Sequence, residues 1–194
     1  VFWSFRSPYS YIALPRIEIL AKEFELEVDM RIVHPNILRN PNYFKTMNVL
    51  ARPYFMLDTA RVAAFQGMPF RRPVPDPISQ DPVTLNVAAV QPLARWLGRL
   101  GVEACLQGKG LAFAREVSTL LWDGKTDQWN QSNHMQQATE RAGLDWLAMV
   151  NKVESEPQRY EAILTQNDEA LKAYGHWGVP TMVYGSEPFF GQDR

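Results

Sequence analysis

The spacing of apolar and polar positions changes period several times along this chain, and each change predicts an element. Residues 1–5 (Val1, Phe2, Trp3, Ser4, Phe5) form an apolar and aromatic run with the make-up of a buried strand. Over residues 9–24 the apolar positions Tyr11, Ile12, Leu14, Ile17, Leu20 and Ala21 recur at helical spacing. Pro8 suits the first helical turn, where a missing N–H costs nothing, and Ser7 suits the N-cap. Over residues 27–33 the period falls to two, with Val28, Met30 and Ile32 set against Asp29 and Arg31. Strand, helix and strand in that order imply a parallel pair with a right-handed crossover.

The middle of the chain reads differently. No convincing strand is found between residues 36 and 155, whereas helical runs are predicted over residues 56–66, 84–100, 102–121 and 132–142. Gly67 and Gly143 make suitable C-terminal stops for the first and last of these. Pro92 falls inside the second run and is expected to kink or split it. Residues 68–82 carry Pro69, Pro73, Pro75, Pro77 and Pro82 and read as a loop or extended connection. Beyond them, residues 157–174 have a helical face of Tyr160, Ile163, Leu164, Leu171 and Tyr174. Residues 180–184 and 187–190 then read as two strands around a Gly185-Ser186 turn. Residues 191–194 read as the approach to a further helix.

The chain has 194 residues, enough to bury roughly 70% of its unfolded surface without staples. Twenty basic residues against 21 acidic ones give a net charge of −1, so no basic field points to nucleic acid or an anionic membrane. No apolar run approaches the ~20 residues of a spanning helix, and no signal-peptide pattern opens the chain. It begins at Val1 rather than Met, which is compatible with processing. A lone cysteine, Cys105, allows no internal disulfide and fits a reducing, cytoplasmic setting. His34, His134 and His176 are scattered, with no ligand spacing, so no metal site is expected. Phosphate-cradling glycine loops and Gly-x-Ser-x-Gly elbows are absent.

The candidate chemistry lies at Ser7-Pro8-Tyr9-Ser10, where the first strand meets the first helix. A helix start gathers unpaired N–H groups and the positive end of the macrodipole, and so holds anions, thiolates included. A serine there can cap the helix, donate to such an anion, or do both.

Two further motifs stand in order with it: Gly178-Val179-Pro180-Thr181 before the third strand, and Phe190-Gly191-Gln192-Asp193-Arg194 after the fourth. Together the three resemble the 2-hydroxychromene-2-carboxylate isomerases and the related kappa-class glutathione transferases, of the DsbA-like branch of the thioredoxin superfamily. The resemblance implies an α/β, thioredoxin-like (DsbA-like) fold with an all-helical domain inserted after the second strand. Residues 1–35 and 156–194 would form the split thioredoxin-like domain, and residues 36–155 the insertion. Redox members carry Cys-x-x-Cys where this chain has Ser7 and Ser10, and a hydroxyl cannot exchange disulfides.

The resemblance implies a borrowed thiolate, that of glutathione, stabilised by the Ser7 hydroxyl. Val179-Pro180 would be a cis-proline loop whose outward Val179 backbone pairs with the tripeptide. Gln192 and Asp193 would hold its γ-glutamyl end, Asp193 doubling as the cap of the coming helix, while Arg194 would be structural. Lys45 and Asn48 resemble a Lys-x-x-x-Asn element for the second substrate, one residue shorter here and followed by Val49-Leu50-Ala51-Arg52-Pro53 in place of Pro-Pro. Lys45 is the first candidate to grip a carboxylate, with Arg52, Arg71 and Arg72 behind it. His34 and Asn36 fit a structural loop near the cleft, and Trp96, Trp122, Trp129 and Trp146 fit packing. The implied activity is a glutathione-dependent cis–trans isomerase of an aromatic conjugated oxo-acid, working as a homodimer. A kappa-like transferase and a non-catalytic binding module remain alternatives.

Overall fold

The computed structural model describes residues 1–193. Arg194, and the helix expected to follow it, lie outside the described residues. Phe2–Trp3 (β1) leads into Pro8–Glu23 (α1), after which Arg31–Ile32 (β2) lies parallel to β1 with Phe2 opposite Arg31 and Trp3 opposite Ile32. Both strands are shorter than their patterns predict. The paired ladder runs only from Phe2–Arg31 to Trp3–Ile32, with the Val1 amino group donating to Asp29 O at 2.6 Å just before it.

Seven helices follow among the described residues: Asn36–Arg39 (α2), Tyr43–Thr46 (α3), Ala51–Phe65 (α4), Pro92–Leu106 (α5), Gly110–Trp122 (α6), His134–Arg141 (α7) and Trp146–Ser155 (α8). Pro157–Ala173 (α9) then returns the chain to the sheet, where Thr181–Tyr184 (β3) and Glu187–Phe190 (β4) form the hairpin, with Gly185 at φ +62° in its turn. The sheet order is β2-β1-β3-β4, with β3 antiparallel to both neighbours.

Three expectations in the middle need correction. Residues 84–90 are not helical, and Pro92 opens α5 at its first turn rather than kinking a longer helix. Local side chains outbid the helix there. Asp81 Oδ1 accepts from the N–H groups of Val83 and Thr84, and the Gln91 amide bonds both backbone groups of Ser79. The run over residues 102–121 is two helices, because Gly108 at φ +70° ends α5 and α6 starts afresh at Gly110. Helix α8 was not anticipated, although Asp145 caps it by accepting from Ala148 N–H at 2.9 Å.

Trp3, Ile12 and Ile32 share one apolar cluster with Leu100, Phe113, Trp129 and Leu164, so helices α5, α6 and α9 close over the parallel end of the sheet. That packing fixes the C-terminal ends of β1 and β2, and with them the start of α1.

Candidate functional site

Ser7 stands where β1 turns into α1, and its side chain has two engagements. Its Oγ accepts from Ser10 N–H at 3.2 Å, which caps α1, and its hydroxyl donates to the Val179 carbonyl at 3.1 Å across the sheet end. The Val179-Pro180 bond is cis. Its loop is held by Thr181 Oγ1 donating to Gly178 O at 2.8 Å and by Gly191 N–H donating to Pro180 O at 3.0 Å. Among the described residues the N–H groups of Tyr9 and Val179 have no partner. Val179 is therefore only half as the sequence implies: its N–H is open, while its carbonyl is taken by Ser7. Ser10 is fully buried with its hydroxyl unpartnered, which removes it from the site.

A cavity of about 300 Å³ opens against these groups, at the lower end of the roughly 300–1,000 Å³ usual for small-molecule sites. Ser7, Tyr9 and Val179 form its polar side. Tyr43, Phe44, Phe55, Trp177 and Phe190 form its aromatic wall, drawn from α3, α4, the loop before β3, and β4. Tyr43 and Trp177 meet across it at 5.4 Å between ring centroids, and His176 stacks on Phe190 at 4.1 Å. Tyr9 donates its phenolic proton to Asp58 of α4, and burial together with that bond pushes its pKa well above the ordinary range. The phenol therefore stays protonated at neutral pH. Burial lowers the pKa of His176, whose Nδ1 accepts from Gly178 N–H at 2.9 Å.

The other residues singled out in the sequence divide. Arg52 approaches the cavity through Phe44, its guanidinium 5.8 Å from that ring's centroid. Lys45 does not border the cavity: it is exposed and donates to Asn86 Oδ1 at 2.6 Å. Asn48 is also exposed, its side chain accepting from Leu50 N–H at 2.9 Å just ahead of α4. Gln192 accepts from Gln66 Nε2 at 3.1 Å, at the end of α4. Asp193 is exposed, close enough to Tyr9 for its charge to add to that phenol's high pKa. Arg71 pairs with Asp127, and Arg72 with Asp76 at 3.2 Å. Asn36 borders the cavity. His34 instead turns to α9, with Nδ1 2.7 Å from Asp168 and Nε2 3.2 Å from Glu161. Trp122 and Trp129 pack in the core, with their indole N–H groups donating to the carbonyls of Phe5 and Pro75.

Arg6 was not anticipated. It borders the cavity and binds Asp76 through two parallel bonds, Nε to Oδ1 at 2.9 Å and Nη2 to Oδ2 at 3.1 Å. The only available signal was its place beside Ser7 at the end of a strand.

The sequence matches the DSBA-like thioredoxin domain over residues 1–194. The chain belongs to the DSBA-like thioredoxin family. Its fold is similar to that of a solved 2-hydroxychromene-2-carboxylate isomerase, at TM-score 0.70 and 20% identity over 100% of this chain and 88% of the other. No sequence among curated proteins matches it. In this DSBA-like chain the sole thiol, Cys105, sits on α5, where burial raises its pKa to about 12. It is a protonated packing group, and the start of α1 carries no sulfur of its own. Among the described residues no helix is long and apolar enough to cross a membrane, and no cluster of His, Cys, Asp and Glu is placed to hold a metal.

Proposed function

We propose that this protein is a glutathione-dependent cis–trans isomerase of an aromatic conjugated oxo-acid resembling 2-hydroxychromene-2-carboxylate. One observation carries the reading. The hydroxyl of Ser7 caps α1 at the edge of an aromatic cavity, beside an unpaired Val179 N–H, and no cysteine stands in its place.

The residues present fit the tripeptide. An extended peptide can pair with the Val179 N–H, and the open first-turn N–H of Tyr9 adds a donor at the positive end of the helix. The Ser7 hydroxyl rotates freely about its Cβ–Oγ bond, so its proton can leave the Val179 carbonyl for a thiolate. Glutathione, when bound, supplies a thiolate whose reversible addition to the conjugated carbon–carbon bond allows that bond to rotate. A free thiol with pKa ~8.5 is mostly protonated at neutral pH. Each unit of depression is worth about 1.4 kcal/mol. The helix start contributes roughly 0.3–2 kcal/mol and a charge-assisted hydrogen bond roughly 1.5–3 kcal/mol, so one to two units are within reach. Tyr43, Phe44, Phe55 and Trp177 would shelter an aromatic ring from water beside these donors.

Replacing Ser7 as Ser7→Ala is expected to raise the thiol pKa of bound glutathione by about one unit and to cut turnover of 2-hydroxychromene-2-carboxylate roughly 10–100-fold. Thiolate absorbance and a substrate assay read the two effects. Full turnover in the variant would sink the assignment, and glutathione consumed mole for mole would assign a transferase.

A further inference from the structure

We propose that an aromatic acid seats its carboxylate among Arg6, Arg52 and Arg72, in a niche opening off the aromatic cavity. The inference rests on the isomerase reading and specifies where the acidic substrate of that reading is held. The niche measures about 50 Å³, several times the roughly 10–15 Å³ needed to hold one water and of a size for a carboxylate rather than a ring. Arg6 and Pro8, the chain neighbours of Ser7, border both the niche and the larger cavity, as do Phe44 and Phe55. A ligand with its carboxylate in the niche and its ring in the cavity therefore runs past the Ser7-Pro8 wall.

Charge favours an anion there. Asp76 is the one acidic side chain that borders the niche among the described residues, whereas three guanidinium groups border it. It accepts twice from Arg6 and once, at 3.2 Å, from Arg72. Arg52 has no carboxylate partner among the described residues and rests on the Phe44 ring. Two positive charges are thus uncompensated at the edge of an apolar space. Each guanidinium has five N–H donors, so Asp76 leaves most of the available fork positions open. The Arg6 side chain is only 17% exposed, where salt screens its charge less than on the open surface. Lys45 is committed to Asn86 away from the cavity, and this cluster takes the role expected of it.

Calorimetry with trans-cinnamate and its neutral analogue trans-cinnamamide tests the niche, with glutathione titrated separately. The wild type is expected to bind the acid at least tenfold more tightly than the amide. In the double variant Arg52→Gln, Arg72→Gln, which leaves the Arg6–Asp76 pair in place, the preference should fall to within twofold with glutathione affinity unchanged. The single variant Arg52→Gln should fall between, which keeps the test decisive if the double variant is not native by circular dichroism. Equal affinity for acid and amide in the wild type, or a preference undiminished in the variants, overturns the proposal. If glutathione does not bind while the arginine-dependent preference holds, the isomerase reading fails and the carboxylate niche stands.

Discussion

At residue scale the site turns on one atom exchanged for another at the start of α1. Ser7 keeps the helix-start position but offers a donor in place of a nucleophile. Introducing sulfur there measures the field directly. In Ser7→Cys the new thiol is expected to titrate below its ordinary pKa of about 8.5. Cys105, with its pKa near 12, leaves that range of the thiolate absorbance clear. A new thiol titrating at 8.5 or above would mean that the helix start does not stabilise a thiolate. The Ser7 position and the cis loop at Val179-Pro180 could be read in the chain because each lies in a contiguous motif beside an element boundary. Arg6 could not, because its partner Asp76 is 70 residues away and the pair exists only once the proline-rich loop folds back. Lys45 looked like a ligand for the converse reason: no local pattern indicates that Asn86 will take its ammonium.

At the scale of elements, His34 ties the end of β2 to α9. Burial opposes its positive charge, but hydrogen bonds with Asp168 and Glu161 more than offset this and raise its pKa from 6.5 to about 9. Glu161 is held down near 2, burial being outweighed by His34, Arg99 and Arg95. The folded-state pKa of His34 lies above its unfolded value, so its contribution is complete below pH 6.5 and is lost as pH rises through 9. The contribution of Glu161 has the opposite sense, complete above pH 4.5 and lost as pH falls through 2. The thermal midpoint should therefore decline between pH 6.5 and 9, and His34→Gln should flatten that slope; an unchanged slope would refute the assignment. Pro35, Asn36 and Ile37 of the cavity wall follow directly in the chain, so the clamp also sets the wall's position. A second element contact is the crossing of α5 over the sheet. A Cβ on Gly101 would lie 2.6 Å from Phe5 Cε2 and 3.0 Å from Ile32 Cγ1, so Gly101→Ala should cost roughly 1–3 kcal/mol. Calorimetry should register it at about 2–4 °C per kcal/mol, and an unchanged midpoint would show that the contact yields freely.

At the scale of the whole molecule, helices α4 to α8 share one apolar cluster with Trp3 of β1 and Ile32 of β2. Trp3 from β1 and Trp129 from the helical stretch are both fully buried. Chemical unfolding is therefore expected to be a single transition, with tryptophan fluorescence and far-ultraviolet dichroism coinciding. Two separated transitions would instead mark residues 36–155 as a unit that folds on its own.

The alternation, helical spacing and turn residues of this chain determined by themselves its opening strand-helix-strand unit, its closing helix and hairpin, and a helical middle. They also located the capped serine at the first helix. These are local properties, set by neighbours within one or two turns. Only the tertiary structure decided the lengths of β1 and β2, which depend on register, and the loss of helix over residues 84–90, where Asp81 and Gln91 bind the backbone. It also decided which cations meet the cavity. Arg6 and Arg72 meet at Asp76 from a strand end and a loop, and Arg52 of α4 borders the same niche; long-range packing rather than any local period sets that meeting.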